Sequence, residues 1–238
     1  MGSASLFFLL RPERAFLGDS CTELVETFRA VRDNPQAVLR YLRPLKPDRE
    51  VFYTIRSTRS TARFKRAAEF IYLNKTCWNG LYRVNARGEF NVPYGRPKTD
   101  NLVDASNLIA CAEALAGEGV ALAAGDFETA LAQVARGDLV FLDPPYVTRH
   151  NNNGFIDYNE RLFSWADQVR LAHHAHDLVD RGAHVLVTNA FHSDVLDLYR
   201  DFNMMPLSRA STLASNVSKR GRVTEALFWS HSSGVEVG

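Results

Sequence analysis

The stretch LVFLDPPYV, residues 139–147, decides how the rest of this sequence is interpreted. Four apolar residues typical of a wholly buried strand end at Asp143, and Pro144, Pro145 and Tyr146 follow at once. The prolines could simply stiffen the chain where it leaves a sheet. The other interpretation is chemical, because open α/β sheets bind their ligands at the carboxyl ends of strands. A carboxylate held between a strand and two prolines is therefore a candidate for binding or catalysis.

Length and composition limit the classes of protein that fit. The 238 residues suffice for one large domain, or for a core domain with a smaller insertion. The hydrophobic content is 46% and the charged content 23%, as in soluble globular proteins, and no apolar run reaches the length of a membrane span. The cysteines at positions 21, 77 and 111 are odd in number and far apart, which predicts reduced thiols in a cytoplasmic protein without a metal site.

Positive charge is concentrated in one part of the chain. Between Arg56 and Lys98 the sequence contains ten basic residues and only two acids, whereas the net charge of the whole chain is +1. Such a basic block within an otherwise acidic protein favours a polyanion such as nucleic acid as the partner. The alternative is a solvated helix face, although such a face normally mixes both signs of charge.

Strand and helix signals alternate at both ends of the chain. Short strands are predicted in AFLGDS, VALAAGDF, LVFLDPPY and AHVLVTNA, a helix in ETALAQVARG ending at Gly137, and two paired strands within residues 208–230. This alternation predicts an α/β fold with a parallel, doubly wound sheet. Residues 25–106 break the alternation with helices and one hairpin around NARGE, so we predict that they form an insertion.

Three of the predicted strands end on an acidic residue. Asp19 closes LGD, Asp126 and the adjacent Phe127 close AGDF, and Asp143 closes FLD. Asp19 and Asp126 could each instead cap the helix that follows. Because the carboxyl ends of parallel strands share one edge, three coinciding acidic ends favour a common ligand crevice.

Together with NKTCWNGLYRVNARGEFNVPYGR (74–96), these residues resemble Dam-type DNA adenine methyltransferases, which use S-adenosylmethionine. The resemblance covers nearly the whole chain and includes LGDSCTELVETFRAVRDN, AGDF, DLVFLDPPY, FIDY, the later DQ, and SKRGRVTEAL. It implies a Rossmann-like class I methyltransferase sheet, formed by residues 1–24 and 107–238. It also implies that residues 25–106 are a mainly helical insertion, with a β-hairpin, that recognises double-stranded DNA.

The resemblance assigns roles to the motif at residues 143–146. In the family, the aspartate and the first proline carbonyl accept hydrogen bonds from the adenine amine and steer its lone pair toward the methyl group. Asp143 and Pro144 would take these roles, Pro145 would keep the acceptors rigid, and Tyr146 would stack on the flipped base.

Further contacts are implied by the same resemblance. For the cofactor, the implied residues are Gly2, Asp19, Asp126, Phe127 and Asp143. Asp19 would bind the ribose hydroxyls, and Asp126 the adenine amine, with Phe127 beside that ring. For DNA, the implied residues are Arg59, Arg63, Asn79, Arg83, Arg87 and Lys98.

The start of the chain departs from the family pattern. The family opens with a helix and a strand that ends in a glycine-rich cofactor loop, whereas this chain opens with MGSASLFFLLRP. Gly2 corresponds to one loop glycine, and residues 5–10 are predicted to be helical. A central strand between those ending at Asp19 and Asp143 is predicted to be missing, so weak cofactor binding is expected. Two alternatives to the enzyme remain: a truncated, catalytically impaired remnant that still binds DNA, and a methyltransferase for a planar amine in RNA or protein.

Overall fold

The computed structural model describes residues 1–85, 87–146, 163–210 and 222–230. The chain divides into two compact units, Met1–Ala130 and Leu131–Gly238, which are described separately. The motif FIDY and most of SKRGR lie outside the described residues. None of the described helices combines the length and the apolar character that crossing a membrane requires.

The first unit contains two parallel strands, β1 (Arg14–Asp19) and β2 (Gly119–Ala124). The short helix α1 (Ser5–Leu10) precedes β1, as predicted from the sequence. A small hydrophobic cluster joins α1 and the two strands to the helices on either side of them; its buried members are Ala4, Phe7, Val25, Leu115 and Leu122.

Five more helices belong to or border this unit: α2 (Thr22–Asp33), α3 (Pro35–Leu42), α4 (Arg49–Ser57), α5 (Arg63–Thr76) and α6 (Ala105–Leu115). Side-chain caps fix where several of them begin. Asn34 accepts a hydrogen bond from the amide of Ala37 at 2.9 Å, and Asp48 accepts one from Val51 at 2.8 Å. α4 was not predicted from the sequence, although the Asp48 cap was a usable signal.

A hairpin follows α5. It starts with a short 3-10 turn at Trp78–Gly80, and isolated antiparallel bridges join Cys77 to Tyr94 and Val84 to Phe90. The hairpin predicted around NARGE is therefore present, but its two arms pair at single bridges and not along a continuous ladder.

The second unit contains a four-stranded sheet in the order β3-β4-β6-β5. Its elements are β3 (Leu139–Leu142), β4 (His184–Ala190), β5 (Asn203–Ala210) and β6 (Arg222–Trp229). β3 and β4 are parallel, whereas β6 runs antiparallel to both β4 and β5. The predicted pairing of the last two strands is confirmed, but β5 begins at Asn203, five residues before the predicted segment.

Two helices accompany this sheet, α8 (Trp165–Asp180) and α9 (Ser193–Leu198); the short helix α7 (Phe127–Leu131) lies almost wholly in the first unit. α8 begins with a capping box, in which Ser164 and Asp167 each bind the other's backbone amide. The amide of Ser164 and its hydroxyl, together with Arg170, lower the pKa of the Asp167 carboxyl. α8 is therefore firmly anchored at its first turn.

Two sequence predictions in this region were wrong. The helix predicted to run to Gly137 ends at Leu131, because the chain then turns: Asp138 Oδ2 accepts from the Ala135 amide at 2.8 Å, and Gly137 has a φ of +85°. The strand β3 is not wholly buried, because Leu139 is 53% and Phe141 43% exposed. Val140 and Leu142, which alternate with these two, are buried, so only one face of the strand is covered.

The predicted domain boundaries and the missing central strand stay predictions. Residues 25–106 share one compact unit with β1 and β2, although most of their helices pack around a separate hydrophobic cluster that includes Val38, Phe52 and Tyr72. Within the described residues, β1 pairs with β2 alone and β3 with β4 alone.

Tyr199 gives a stability prediction for the second unit. Its side chain is 1% exposed, and its hydroxyl has no hydrogen-bond partner among the described residues. Burial raises the pKa of this phenol. An unpaired buried hydroxyl opposes folding, so we expect Tyr199→Phe to leave the free energy of unfolding unchanged or to raise it by up to about 1 kcal/mol. Urea unfolding of both proteins measures this change.

The matched control is Tyr72→Phe in the first unit. The Tyr72 hydroxyl donates to the Lys46 carbonyl at 3.0 Å, and its side chain is also fully buried. We expect this change to lower the free energy of unfolding by about 1 kcal/mol. A comparable loss in Tyr199→Phe would contradict the prediction.

Candidate active site

Exposed and buried residues alternate along β3 and into the motif that follows it. Exposed Leu139 and Phe141 alternate with buried Val140 and Leu142, and the alternation continues into an exposed Asp143 and a buried Pro144. Successive residues of a strand point to opposite faces. The carboxylate therefore faces out of the sheet while the first proline anchors the chain beneath it.

β4 contacts the Asp143 carboxylate directly. Leu142 pairs with Val187 in the parallel register, so the next residue on each strand, Asp143 and Thr188, lie side by side. The Thr188 hydroxyl donates to Asp143 Oδ1 at 2.6 Å. Within the described residues no donor contacts the other oxygen, Oδ2, which keeps its acceptor capacity.

A second contact holds the main chain after the prolines. Gln168 Nε2, on the first turn of α8, donates to the Pro145 carbonyl at 2.8 Å. Gln168 Oε1 accepts in turn from Asn189 Nδ2 at 2.9 Å, and both amide side chains are fully buried. Neither Thr188 nor Asn189 was predicted from the sequence to belong to the site, and Gln168 entered only as part of the DQ motif. Polar residues within an otherwise apolar strand, as in HVLVTNA, were the available signal.

Asp19 is surrounded by donors at the end of β1. Its Oδ2 accepts from the Met1 ammonium at 3.1 Å and the Gly2 amide at 3.0 Å, and its Oδ1 from the Cys21 amide at 2.9 Å. Burial acts to raise the pKa of Asp19, but the ammonium and the amides outweigh it and hold the pKa below its usual value. Asp19 is thus ionised and does not cap the first turn of α2.

Asp126 follows the end of β2, as Asp19 lies at the end of β1. Its side chain is exposed, and Oδ1 accepts from the Glu128 amide at 2.9 Å. One carboxylate oxygen of Asp126 therefore caps the start of α7, which supports the alternative interpretation of this residue as a helix cap. β1 and β2 are parallel and in register, with Asp19 opposite Ala124. The structure thus brings Asp19 and Asp126 to the same edge of the first sheet. Residues 143–146 belong to the second unit.

The residues of the hairpin that are predicted to contact DNA differ in how exposed their side chains are. Arg83 Nε donates to Asn91 Oδ1 at 2.8 Å across the hairpin, whereas the side chain of Arg87 is exposed at the tip. Lys98 is also exposed. Asn79 has a left-handed backbone, with a φ of 53°, inside the turn that opens the hairpin.

Arg59 and Arg63 lie in an ion-pair network between α2 and α5. Arg59 is 13% exposed and pairs with Glu23 and, at 3.4 Å, with Glu69. Arg63 is 45% exposed and pairs with Asp33 at 2.5 Å. Arg59 is thus already paired with two acids, of which it shares Glu23 with Arg66, whereas Arg63 remains more accessible.

Comparison with known proteins assigns the chain to a family. Residues 1–213 match the family model described as D12 class N6 adenine-specific DNA methyltransferase. A type II methyltransferase of Lactococcus lactis subsp. cremoris is 32% identical over 98% of this chain and 85% of its own length. A type II methyltransferase of Methanocaldococcus jannaschii is 34% identical over 85% and 76%. The DNA adenine methylase of Serratia marcescens is 32% identical over 95% and 86%.

The chain therefore belongs to the D12 class of N6 adenine-specific DNA methyltransferases. The resemblance stated from the sequence is confirmed at the level of family and enzyme class.

Proposed function

We propose that this protein transfers a methyl group from S-adenosylmethionine to the exocyclic amine of an adenine that has been flipped out of duplex DNA. The observation that carries the proposal is the exposed Asp143 carboxylate at the end of β3, with Thr188 on one of its oxygens and the other accessible. We further propose that it acts in the cytoplasm, which the three free cysteines support.

The proposed chemistry follows from the weak nucleophilicity of the adenine amine. Its lone pair is delocalised into the ring, so it must be localised on nitrogen before it can attack. Asp143 Oδ2 and the Pro144 carbonyl would accept the two amine hydrogens and orient the lone pair. This effect is one of positioning more than of proton transfer. Tyr146 would stack on the base, and such stacking contributes about 1–3 kcal/mol.

The first sheet offers acceptors that fit the adenosine part of the cofactor. Ribose hydroxyls and the adenine amine are donors, and a carboxylate has about four acceptor sites. Asp126 is exposed, and Phe127 follows it at once as a partly exposed ring. Asp19 already accepts three hydrogen bonds, one from Gly2, which leaves about one site. Gly2, Asp19, Asp126 and Phe127 are the residues that would hold S-adenosylmethionine, which supplies the electrophilic methyl group when bound; Asp143 would lie next to that methyl.

The decisive experiment measures N6-methyladenine in duplex DNA after incubation with the protein and S-adenosylmethionine, by mass spectrometry of the digested nucleosides. The proposal expects methylation with multiple turnover. DNA binding without any methylated adenine would instead identify the impaired remnant. Methylation of RNA or of a protein amide in parallel reactions, but not of DNA, would identify the other substrate class.

We also propose that the hairpin and the residues after it contact DNA. Arg83, Arg87 and Asn79 would enter a groove, where arginine can pair with guanine edges, and Lys98 would meet phosphate. Arg63 would add a phosphate contact at the start of α5. Arg59 is the weakest candidate, because Glu23 and Glu69 already neutralise it.

The salt dependence of DNA binding tests this interface. In the double variant Arg87→Gln, Lys98→Gln we expect the slope of log affinity against log salt to fall by about 0.9 for the lost Lys98 phosphate contact, and by up to about 1.8 if Arg87 also contacts a phosphate. Fluorescence anisotropy at several salt concentrations gives the slope.

Two variants serve as comparisons. Arg200→Gln removes an exposed charge from the second unit and should leave the slope unchanged. Arg59→Gln should lower the thermal unfolding midpoint and change the slope little. If the double variant kept the wild-type slope of log affinity against log salt while that slope fell in Arg59→Gln, the DNA interface would lie on the α2–α5 side.

A further inference from the structure

A buried chain of amide groups runs from β4 to the main chain of the candidate active site. Asn189 and Gln168 are both fully buried, and the chain ends at the Pro145 carbonyl. Burying two primary amides costs desolvation that apolar side chains would avoid. Their arrangement therefore needs an explanation that packing alone does not give.

The hydrogen-bond chemistry allows only one direction along this chain. A carbonyl can only accept, so Gln168 must donate to Pro145 through Nε2 and accept through Oε1. Asn189 must then donate through Nδ2, which turns its Oδ1 toward the Ala190 amide, a donor at 2.8 Å. Each amide is locked in one orientation by its neighbour, and the Pro145 carbonyl is locked with them.

The neighbouring residue of β4 holds the same loop from the other face of the strand. Thr188 and Asn189 are adjacent, so their side chains point to opposite sides. Thr188 binds Asp143 Oδ1, and Asn189 acts through Gln168 on Pro145. Thr188 and Asn189 of β4 thus hold the loop on both sides of Pro144. Thr188 acts on Asp143 before it, and Asn189 acts through Gln168 on Pro145 after it. Gln168 itself is held by the capped first turn of α8.

We propose that Thr188, Gln168 and Asn189 are positioning residues that hold the Asp143 carboxylate and the Pro144 and Pro145 main chain at the geometry the adenine amine requires. The inference rests on the proposed roles of Asp143 and Pro144. Thr188 leaves Oδ2 as the available acceptor, and the amide chain prevents the loop from shifting when a base binds. A misplacement of about 1 Å at such a site can lower the rate about 100-fold.

The kinetic test uses near-isosteric variants. Thr188→Val and Gln168→Met should each lower kcat by about 10- to 100-fold while KM for DNA stays within about twofold, because substrate binding elsewhere is intact. Thr188→Ser keeps the hydroxyl and should restore most of kcat. Leu178→Val, a buried change at the far end of α8, is the control for lost packing and should leave kcat unchanged. A rate loss in Leu178→Val as large as in Gln168→Met would overturn the proposal.

A second measurement does not depend on activity. Pro144 and Pro145 lack an amide hydrogen, so the Tyr146 amide is the reporter next to the Pro145 carbonyl. The nitrogen and proton chemical shifts of the Tyr146 amide should move in Gln168→Met, because the Pro145 carbonyl of the same peptide group loses its hydrogen bond; they should stay at the wild-type values in Leu178→Val, with the thermal unfolding midpoint as a check of folding. If the wild-type protein failed to methylate DNA, the proposed function would fail while this result still decided the positioning role. Unchanged Tyr146 amide shifts in a folded Gln168→Met protein would refute that role.

Discussion

Replacing Asp143 by alanine is expected to reduce methyl transfer by about 1000-fold or more while DNA affinity stays within a few-fold of the wild type. Losing one positioned polar group that acts in the transition state costs about 100- to 1000-fold, and here the main acceptor for the amine is lost. The residue would touch the amine and no phosphate, so binding of the DNA backbone is preserved. Single-turnover methylation and fluorescence anisotropy measure the two effects separately.

The fold should survive this change. Asp143 is exposed, and the Thr188 hydroxyl that it releases can bind water. Asp138→Asn is the matched control, because Asp138 lies just before β3 and its carboxylate accepts from the Ala135 amide. The control should alter stability slightly and the rate not at all. Wild-type turnover by Asp143→Ala would show that the carboxylate at the end of β3 has no part in the chemistry.

The second large effect is expected at Gly95, where the hairpin closes. A Cβ atom at this position would lie 2.3 Å from the Cys77 carbonyl oxygen and 2.8 Å from the Trp78 amide nitrogen, which are main-chain atoms and cannot easily move. Gly95→Ala should therefore lower the free energy of unfolding by about 3 kcal/mol and the thermal midpoint by roughly 6 to 12 °C. Differential scanning calorimetry measures the midpoint.

The same variant should weaken DNA binding, because displacing Gly95 from Cys77 shifts both arms of the hairpin. Gly88→Ala at the tip is the contrast: a Cβ there meets nothing within 4 Å, and the cost of its left-handed backbone, with a φ of +77°, is about 1 kcal/mol. Equal destabilisation by both variants would mean that the close approach at Gly95 relaxes without cost.

Much of the fold could be predicted from the sequence, because local signals agree with the final structure. Apolar runs ending at Asp19 and Asp143 became β1 and β3, and Gly182, with a φ of +86°, follows α8 as a C-terminal stop. The extent of α7 could not be predicted, since ETALAQVARG has helical periodicity throughout. Its end depends on a turn in which Gly137 donates to the Gly182 carbonyl, a contact between distant residues.

The candidate site likewise contains residues that could be predicted from the sequence and residues that could not. Asp143, Pro144 and Tyr146 could be found because their motif is contiguous. Gln168 and Asn189 are 23 and 44 positions further along than Pro145, and only the folded chain brings the Gln168 amide to the Pro145 carbonyl and the Asn189 amide to Gln168. Arg59 and Arg83 illustrate a different limit: their charge was visible in the sequence, but their partners Glu23, Glu69 and Asn91 were not. Charge in a sequence predicts attraction to DNA without telling which groups are already paired.

The closed base of the hairpin has a consequence for how new target sequences can evolve. The Trp78 amide donates to the Pro93 carbonyl at 2.9 Å, and the Gly95 amide donates to the Thr76 carbonyl at 2.8 Å. Phe90 and Val92 in this segment are buried in the same hydrophobic cluster as the helices, so only the exposed tip, which includes Asn85, Arg87 and Gly88, can change without disturbing the helical unit. Loop-closure entropy grows only slowly with length. If the tip of the hairpin contacts DNA bases as proposed, sequence preference can diversify there while the candidate active-site residues of the second unit stay unchanged.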